Sequence, residues 1–427
     1  MKILWICNVV IPRIFKIRGE ENSNFSGGWL DGMAESLLKK KYIELVYCYP
    51  NYVNNNLIDA HEDNFYSYGI PMKYDEAIKK LNQNSLSIAC FKEIVAKEKP
   101  DIIHIWGTEF IYSLEFYKAA VAVNQQYKSN TAVSIQGLIG ICAKHYDAGI
   151  PSCVMNFATL SEIKGMCTLK MLKRSFEYRG KKEEELLKLI ERVIGRTSWD
   201  RACSNLINSN LKYYVCNESL RDSFYDGAWK VENCRLHQIF ISQASYPLKG
   251  FHKLLEAVNY IKADYPDLLI KVAGQNIFEG NYIKGNSYGN YIKRLIRNYN
   301  LDKNIIFMGM INAEEMKRIM LESNVFVCPS AIENSSNSLG EAMLLGVPCI
   351  ASNVGGTQDM LEHGREGFLY PYNETYRLAD YISRIFDDKQ LACDIGKSAK
   401  KKAEITHDRT KNNEVLCSIY NDIMKNS

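Results

Sequence analysis

Short apolar runs alternate with longer amphipathic ones along the whole chain, and no other feature narrows its fold as much. Runs such as Ile102-Ile103-His104-Ile105-Trp106 and Val325-Phe326-Val327-Cys328 are strand-length and almost wholly apolar, as strands buried on both faces must be. Each is followed by a loop and then by a stretch of helical period. Repeated βα units of this kind build a mostly parallel sheet covered by helices. In the first half, strands are expected over residues 2–7, 43–47, 102–106 and 131–135, with helices over 29–41 and 87–98.

The pattern restarts at Gln238-Ile239-Phe240-Ile241-Ser242, with further strands at 267–273, 304–308, 324–328 and 348–351 and a helix at 250–264. This restart, in the absence of any Gly/Ser linker, places one α/β domain over 1–235 and a second over 236–405. Residues 394–424 read as helical, and the segment 406–427 is expected to cross back onto the first domain. A chain of 427 residues, 46% of them hydrophobic, is long enough to bury two such cores.

Composition excludes several functions. No apolar run approaches the ~20 residues of a membrane-spanning helix. The apolar start, residues 1–7, is broken by Asn8, Pro12 and Arg13 and reads as a first strand rather than a secretion signal. The thirteen cysteines are scattered, odd in number and without a Cys-x-x-Cys pair, which argues against a disulfide framework or a zinc knuckle and for a cytoplasmic setting. A net charge of +4 gives no basis for nucleic acid as a partner. One local excess stands out. Residues 170–182 gather Lys170, Lys173, Arg174, Arg179, Lys181 and Lys182 among Met171, Leu172, Phe176 and Tyr178. Such a stretch is either a solvated helix face or a peripheral contact with the anionic inner face of a membrane.

The chemistry concentrates between Asn324 and Pro348. A buried strand ends at Pro329-Ser330, a polar loop carries Glu333, and a helix is expected to open near Ser338 and close at Gly346. The first N–H groups of such a helix carry partial positive charge and suit a diphosphate. The flanking carboxylates Glu333 and Glu341 suit vicinal sugar hydroxyls. Ser338-Leu339-Gly340-Glu341 also reads as a capping box, in which Glu341 would simply accept the Ser338 N–H. Downstream, Gly355-Gly356 lies between a strand and a helix; upstream, Lys249 precedes Gly250 at a helix start, where it can neutralise a phosphate.

Taken together, these residues resemble the family 4 glycosyltransferases, retaining enzymes of the GT-B fold that often build bacterial polysaccharides and glycolipids. The hallmark of that family is two glutamates separated by seven residues, here Glu333 and Glu341, followed by Glu341-Ala342-Met343, Gly346-Val347-Pro348 and Val354-Gly355-Gly356. The resemblance is close in the second half and looser in the first. It implies an α/β fold of two Rossmann-like domains facing a cleft, the first (1–235) binding the acceptor and the second (236–405) the nucleotide-sugar. It further implies that Glu333 contacts the transferred sugar, Glu341 the ribose, and the N–H groups of Asn337, Ser338 and Leu339 the diphosphate. The base would lie against Gly309-Met310, and the Gly27-Gly28 loop would close over the phosphates. The donor would be a nucleoside-diphosphate sugar, with UDP favoured by family frequency, and the acceptor a saccharide or lipid-linked saccharide.

Three positions depart from the family pattern. Gln243 stands where an arginine usually assists the phosphate lysine, leaving diphosphate neutralisation to Lys249; Arg196 could supply charge from the first domain, or could be a surface or capping arginine. Gln136 ends a strand in Gln136-Gly137 where relatives have His-Gly, and it cannot act as a base. His145 is the nearest titratable substitute, set against the plainer reading of an incidental loop histidine. His104 could line the cleft but reads more simply as a buried strand residue. Ser335-Ser336 replaces the usual Phe-Gly. A retaining front-face transfer needs no protein base, because the leaving diphosphate can take the acceptor's proton. With no Asp-x-Asp in the chain, neither metal nor other cofactor is expected. Two rival functions remain at this level, a nucleotide-sugar epimerase and a non-catalytic sugar-nucleotide-binding partner of an assembly complex.

Overall fold

Two mostly parallel sheets organise the chain, their central strands buried on both faces. In this computed structural model, residues 1–20, 27–278 and 285–425 are described. The strands of the first sheet are β1 (Lys2–Ile6), β2 (Glu44–Asn51), β3 (Ile58–Glu62), β4 (Phe65–Pro71), β5 (Ile102–Trp106), β6 (Thr131–Ser134), β7 (Arg192–Gly195) and β8 (Lys212–Val215). They are ordered β3-β4-β2-β1-β5-β6-β7-β8, parallel except for the β3–β4 hairpin at the edge. The hairpin turn places Asp63 at φ +53°, a left-handed conformation that aspartate tolerates.

The period-2 alternation of β1 divides its side chains between two cores. Leu4 and Ile6 pack with Val46, Phe91 and Phe116 on one face; Ile3, Trp5 and Cys7 pack with Tyr47, Leu416 and Tyr420 on the other. Leu416 and Tyr420 belong to the last helix, Arg409–Lys425, which therefore covers a face of the first sheet. The helical stretch expected over 394–424 is in fact two helices, Lys389–Thr406 and Arg409–Lys425. Asp408 accounts for the break: its carboxylate accepts from Lys411 N at 2.9 Å and starts the second helix.

The second sheet comprises β9 (Arg235–Ile241), β10 (Leu269–Ala273), β11 (Ile305–Gly309), β12 (Ser323–Cys328), β13 (Cys349–Ser352) and β14 (Phe368–Tyr370), ordered β11-β10-β9-β12-β13-β14 and parallel throughout.

The chain divides into two compact units at points that differ from the restart boundary at 235. Met1–Ile141, Ser175–Ser219 and His407–Ser427 form the first; Cys142–Arg174 and Leu220–Thr406 form the second. Hydrogen bonds explain both differences. The segment before β9 is tied to the second unit because Trp229 N donates to Leu345 O at 2.8 Å and Trp229 Nε1 to Ser323 O at 2.7 Å. The excursion Cys142–Arg174 is tied to it because Ser287 N donates to the buried Glu162 carboxylate at 2.8 Å, and Tyr372 hydroxyl to Ala148 O at 2.8 Å. Side-chain hydrogen bonds between segments far apart in sequence leave no periodic trace, so a reading from hydrophobic pattern does not detect them.

Candidate active site

In the second sheet the strand order reverses beside β9, with β10 and β11 to one side and β12 to β14 to the other. Open α/β sheets bind ligands outside the carboxyl ends of their strands at such a reversal. The two loops leaving β9 and β12 are pressed together there. Gly250 has φ +69°, and a β-carbon at that position would lie 1.7 Å from the Pro329 carbonyl oxygen, so no residue with a side chain fits. Ala331 N donates to Leu248 O at 2.7 Å across the same contact.

This contact brings Lys249 onto Glu333. Lys249 Nζ donates to Glu333 Oε2 at 2.9 Å, and Ser330 Oγ donates to the same oxygen at 3.1 Å. Burial alone would lower the Lys249 pKa; the adjacent Glu333 carboxylate outweighs it and carries the ammonium above its ordinary range. The backbone of Glu333 is held as well. Gly356 N donates to Glu333 O at 3.0 Å, and a β-carbon at Gly355 (φ +53°) would lie 2.0 Å from that carbonyl oxygen. The glycine pair thus shapes the crevice by fixing the Glu333 loop.

The helix that follows runs Asn337–Leu345, with Ser336 as its N-cap: Ser336 Oγ accepts from Leu339 N. Ser338 Oγ instead meets Ser242 Oγ at 2.9 Å, joining the helix start to the end of β9. Two expectations are corrected here. Leu339 N is engaged by the cap, which leaves Asn337 and Ser338 as the first-turn donors for an anion. Glu341 is not part of a capping box. It is buried, 2% exposed, and its carboxylate receives Arg221 Nε and Nη2, each at 2.7 Å. Arg221 also lies over the Phe224 ring at 4.8 Å. Burial raises the Glu341 pKa, and Arg221 opposes that rise.

The remaining predicted residues of this unit are dispersed. Gln243 Nε2 donates to Ser245 Oγ at 3.1 Å. Gly309 ends β11 at φ +70°, and Met310 beside it is exposed. His145 is exposed in the turn that closes the helix Ile139–Lys144, and it falls in the second unit, whereas Gln136 falls in the first.

In the first unit, Gln136 and Arg196 do come together, around a glutamate the sequence reading did not identify. Arg196 Nη1 and Gln136 Nε2 donate to the two oxygens of the buried Glu218, each at 2.5 Å, and Arg196 Nη2 donates to the Gln136 carbonyl at 3.1 Å. With its side chain 5% exposed and its charge matched by Glu218, Arg196 is neither a surface arginine nor a source of unbalanced charge. Gly27, at φ +86°, caps the helix Gly28–Leu38, so the glycine pair opens a helix directly; residues 21–26 of the loop before it lie outside the described residues. His104 is a core residue. It is fully buried, bonded to Tyr420 hydroxyl and Ser134 Oγ at 2.7 Å each, and burial lowers its pKa to about 3.

Arg221 and Glu218 both lie in the irregular chain between β8 and β9, where periodicity carries no signal. The groups they pair with, Glu341 for Arg221 and Arg196 and Gln136 for Glu218, are far away in sequence. Among the described residues, no group of three or more His, Cys, Asp and Glu side chains could hold a metal ion.

Residues 235–402, which lie within the second unit, match the family model of glycosyl transferases group 1. Family 4, the narrower resemblance, is compatible with this match. The putative glycosyltransferase YtcC of Bacillus subtilis is 29% identical over 180 residues, which cover 42% of this chain and 43% of the relative. The UDP-Gal:alpha-D-GlcNAc-diphosphoundecaprenol alpha-1,3-galactosyltransferase of Escherichia coli is 28% identical over 163 residues, covering 36% and 41% respectively. The matched stretch thus spans less than half the length of these relatives. In fold, the whole chain is similar to sucrose-phosphate synthase of Thermosynechococcus elongatus, with a TM-score of 0.74 at 18% identity and full coverage of both chains.

Proposed function

We propose that the chain is a retaining glycosyltransferase that moves a sugar from a nucleoside diphosphate, UDP in preference to GDP, to a saccharide or lipid-linked saccharide during synthesis of a surface polysaccharide. The observation that carries this reading is the meeting of Lys249 and Glu333 at the switch point of the sheet that lies within the group 1 match, beside a helix start. A diphosphate entering there replaces Glu333 as the partner of the Lys249 ammonium and accepts from Asn337 and Ser338 N–H. Glu333 is then free to receive the hydroxyls of the transferred sugar, while Glu341 receives those of the ribose. The base lies along the exposed backbone at Gly309-Met310.

The leaving diphosphate takes the acceptor's proton, so the site works by positioning and by stabilising departing charge, with no metal or other cofactor. Support for a UDP-sugar and a lipid-linked acceptor comes from the Escherichia coli relative, whose name carries both.

A lipid-linked acceptor would require the chain to work at a membrane surface. Among the described residues no helix is long and apolar enough to cross a membrane. Peripheral contact at the inner face is the mode proposed for this cytoplasmic chain. Within 170–182, Lys173 pairs with Asp147 and Lys182 with Glu185, while Lys170, Arg174 and Lys181 are exposed. Just before them Leu160, Ile163 and Met166, and among them Met171, are exposed apolar side chains. The contact surface proposed is therefore wider than 170–182 and begins at Leu160.

A thermal-shift screen of UDP, GDP, ADP and their sugars, followed by transfer assays, tests the reading. The matching donor is expected to raise the melting temperature and to give a retained-configuration product. No shift with any nucleotide would sink it, an epimer formed without acceptor would point to an epimerase, and binding without turnover to a non-catalytic partner.

A further inference from the structure

A lysine near the start of the chain and a cysteine near its end are in direct contact. Lys40 Nζ donates to Cys417 Sγ at 3.1 Å, and both residues belong to the first unit. Lys40 sits in the bend that follows the helix Gly28–Leu38, with its backbone held on both sides. Lys40 N donates to Leu37 O at 3.0 Å, and Lys40 O accepts from Ile43 N at 2.8 Å. Cys417 lies in the last helix, Arg409–Lys425, whose Leu416 and Tyr420 share one core with Met33 and Leu37. Tyr420 fixes that helix, its hydroxyl accepting from Trp5 Nε1 at 2.9 Å. Two anchored backbones therefore hold the sulfur and the amine together.

Cys417 is not an isolated thiol. Besides Lys40 it has Cys216 in the same core, close enough for the two sulfurs to influence each other. The hydrogen bond to Cys417 carries the Lys40 pKa above its ordinary value, against the opposing effect of burial. Cys417 is buried, but Lys40 beside it is only half-buried, so a small oxidant meets the pair from the lysine side. Cysteines beside a cation with partial access to solvent are the ones that oxidise selectively. At the observed separation, one inserted oxygen atom can bond to both the sulfur and the nitrogen.

We propose that Lys40 and Cys417 form an oxidation site, at which hydrogen peroxide joins Sγ to Nζ through one oxygen atom. The sulfur first attacks one peroxide: an S–O bond forms, the O–O bond breaks, and water leaves behind a sulfenic acid. The Lys40 ammonium then gives up a proton, and its nitrogen bonds to the sulfenic oxygen. A second peroxide takes the two hydrogens lost from nitrogen and oxygen and leaves as two waters. In sum, one thiol, one ammonium and two peroxides give the bridge, three waters and a proton, with sulfur and nitrogen each oxidised by two electrons. The bridge staples the last helix to the end of the helix Gly28–Leu38. Closing so long a loop stabilises the fold by restricting the unfolded chain. The proposal does not depend on the glycosyl-transfer reading.

The full chain is treated with hydrogen peroxide, digested and mapped by mass spectrometry. The peptides carrying Lys40 and Cys417 are expected as one cross-linked species, heavier than their sum by one oxygen and lighter by two hydrogens. Dithiothreitol should return the separate peptides, two dithiols being consumed and one water released per bridge. Lys40→Arg, which keeps the positive charge without the amine, and Cys417→Ala should each abolish the species, whereas Cys216→Ala should still give it. Oxidised wild type should unfold at higher urea than the reduced protein, and Lys40→Arg should lose that shift while matching wild type when reduced. Three results overturn the site: Cys417 carrying oxygen without linkage to Lys40, a disulfide between Cys417 and Cys216, or an unmodified Cys417 once the exposed Cys153 and Cys167 are oxidised.

Discussion

Arg221 grips Glu341 through two hydrogen bonds of 2.7 Å, so the carboxylate assigned to the donor ribose has a charged partner that opposes the rise in its pKa that burial imposes. Such a pair is costly to break from one side, because the remaining charge stays buried without its partner. Arg221→Met is expected to cost about 3–5 kcal/mol of stability and to raise the donor KM by more than it lowers kcat. Arg221→Lys recovers part of the stability but only one of the two hydrogen bonds. Urea denaturation together with donor-saturation kinetics checks this; an Arg221→Met protein with wild-type stability and donor KM would remove the ion pair from any role.

Glu333 makes the opposite prediction. Its carboxylate is half-buried, its partner Lys249 has access to water, and it caps no helix. Glu333→Gln is therefore expected to leave the melting temperature near wild type and to lower transfer by about 100-fold or more, the scale seen when one preorganised polar contact to a transition state is lost. Normal transfer by this variant would overturn the role assigned to Glu333. Lys249→Met should weaken binding of the diphosphate itself, and UDP alone is then the informative ligand.

The contrast between these two glutamates shows where sequence reading succeeds and where it stops. The strands at 102–106 and 324–328 came through within a residue, since burial on both faces dictates an apolar run, whereas β2 runs four residues past its expected end and β4, β7, β8 and β14 were not read. Lys249, Glu333 and the glycines around them were legible for the same reason, being anchored to strand ends whose spacing is nearly fixed. Edge strand β3 was not legible, because its pattern of half-exposed residues lacks that run. Nor was the partner of Glu341: a local capping box and a distant arginine satisfy the same carboxylate, and only the fold decides between them. Gln136 and Arg196 were found as individual residues, while Glu218, which joins them, gave no signal of its own.

Chelation provides an independent check. If the diphosphate is neutralised by Lys249 and the helix start alone, turnover after exhaustive EDTA treatment and removal of the chelator should match that of untreated protein. Recovery only on adding magnesium or manganese would show that a divalent ion takes part.

The proposed membrane contact should be electrostatic at long range and apolar at short range. Vesicles containing phosphatidylglycerol are expected to pull down the chain at low salt, and Lys170→Glu with Arg174→Glu should release it, each basic residue near an anionic surface being worth about 1 kcal/mol. Replacing Leu160 and Ile163 by serine should weaken binding even to a vesicle of high charge density. Failure to bind at low salt would end the proposal.

The pH dependence of stability should be shaped from both sides by buried groups outside the site. His104, His252 and His407 are hydrogen-bonded imidazoles whose pKa values burial lowers to about 3, 4 and 4. Between pH 6.5 and these values the unfolded chain binds protons that the folded chain does not, so stability present above pH 6.5 is lost as the pH falls. Glu183 works in the other direction. Burial raises its pKa to about 8, although it accepts from Thr108 Oγ, Ile139 N and Gly140 N. The folded chain therefore keeps a proton that the unfolded chain gives up near pH 4.5, and stability falls as the pH rises from 4.5 to about 8 and levels off beyond it. Each unit of difference corresponds to about 1.4 kcal/mol, so either limb can amount to several kcal/mol. Denaturation midpoints from pH 4 to 9 should pass through a maximum, with His104→Gln flattening the acid limb and Glu183→Gln the alkaline one. An alkaline limb unchanged in Glu183→Gln would mean that its three hydrogen bonds hold the carboxylate ionised in spite of burial.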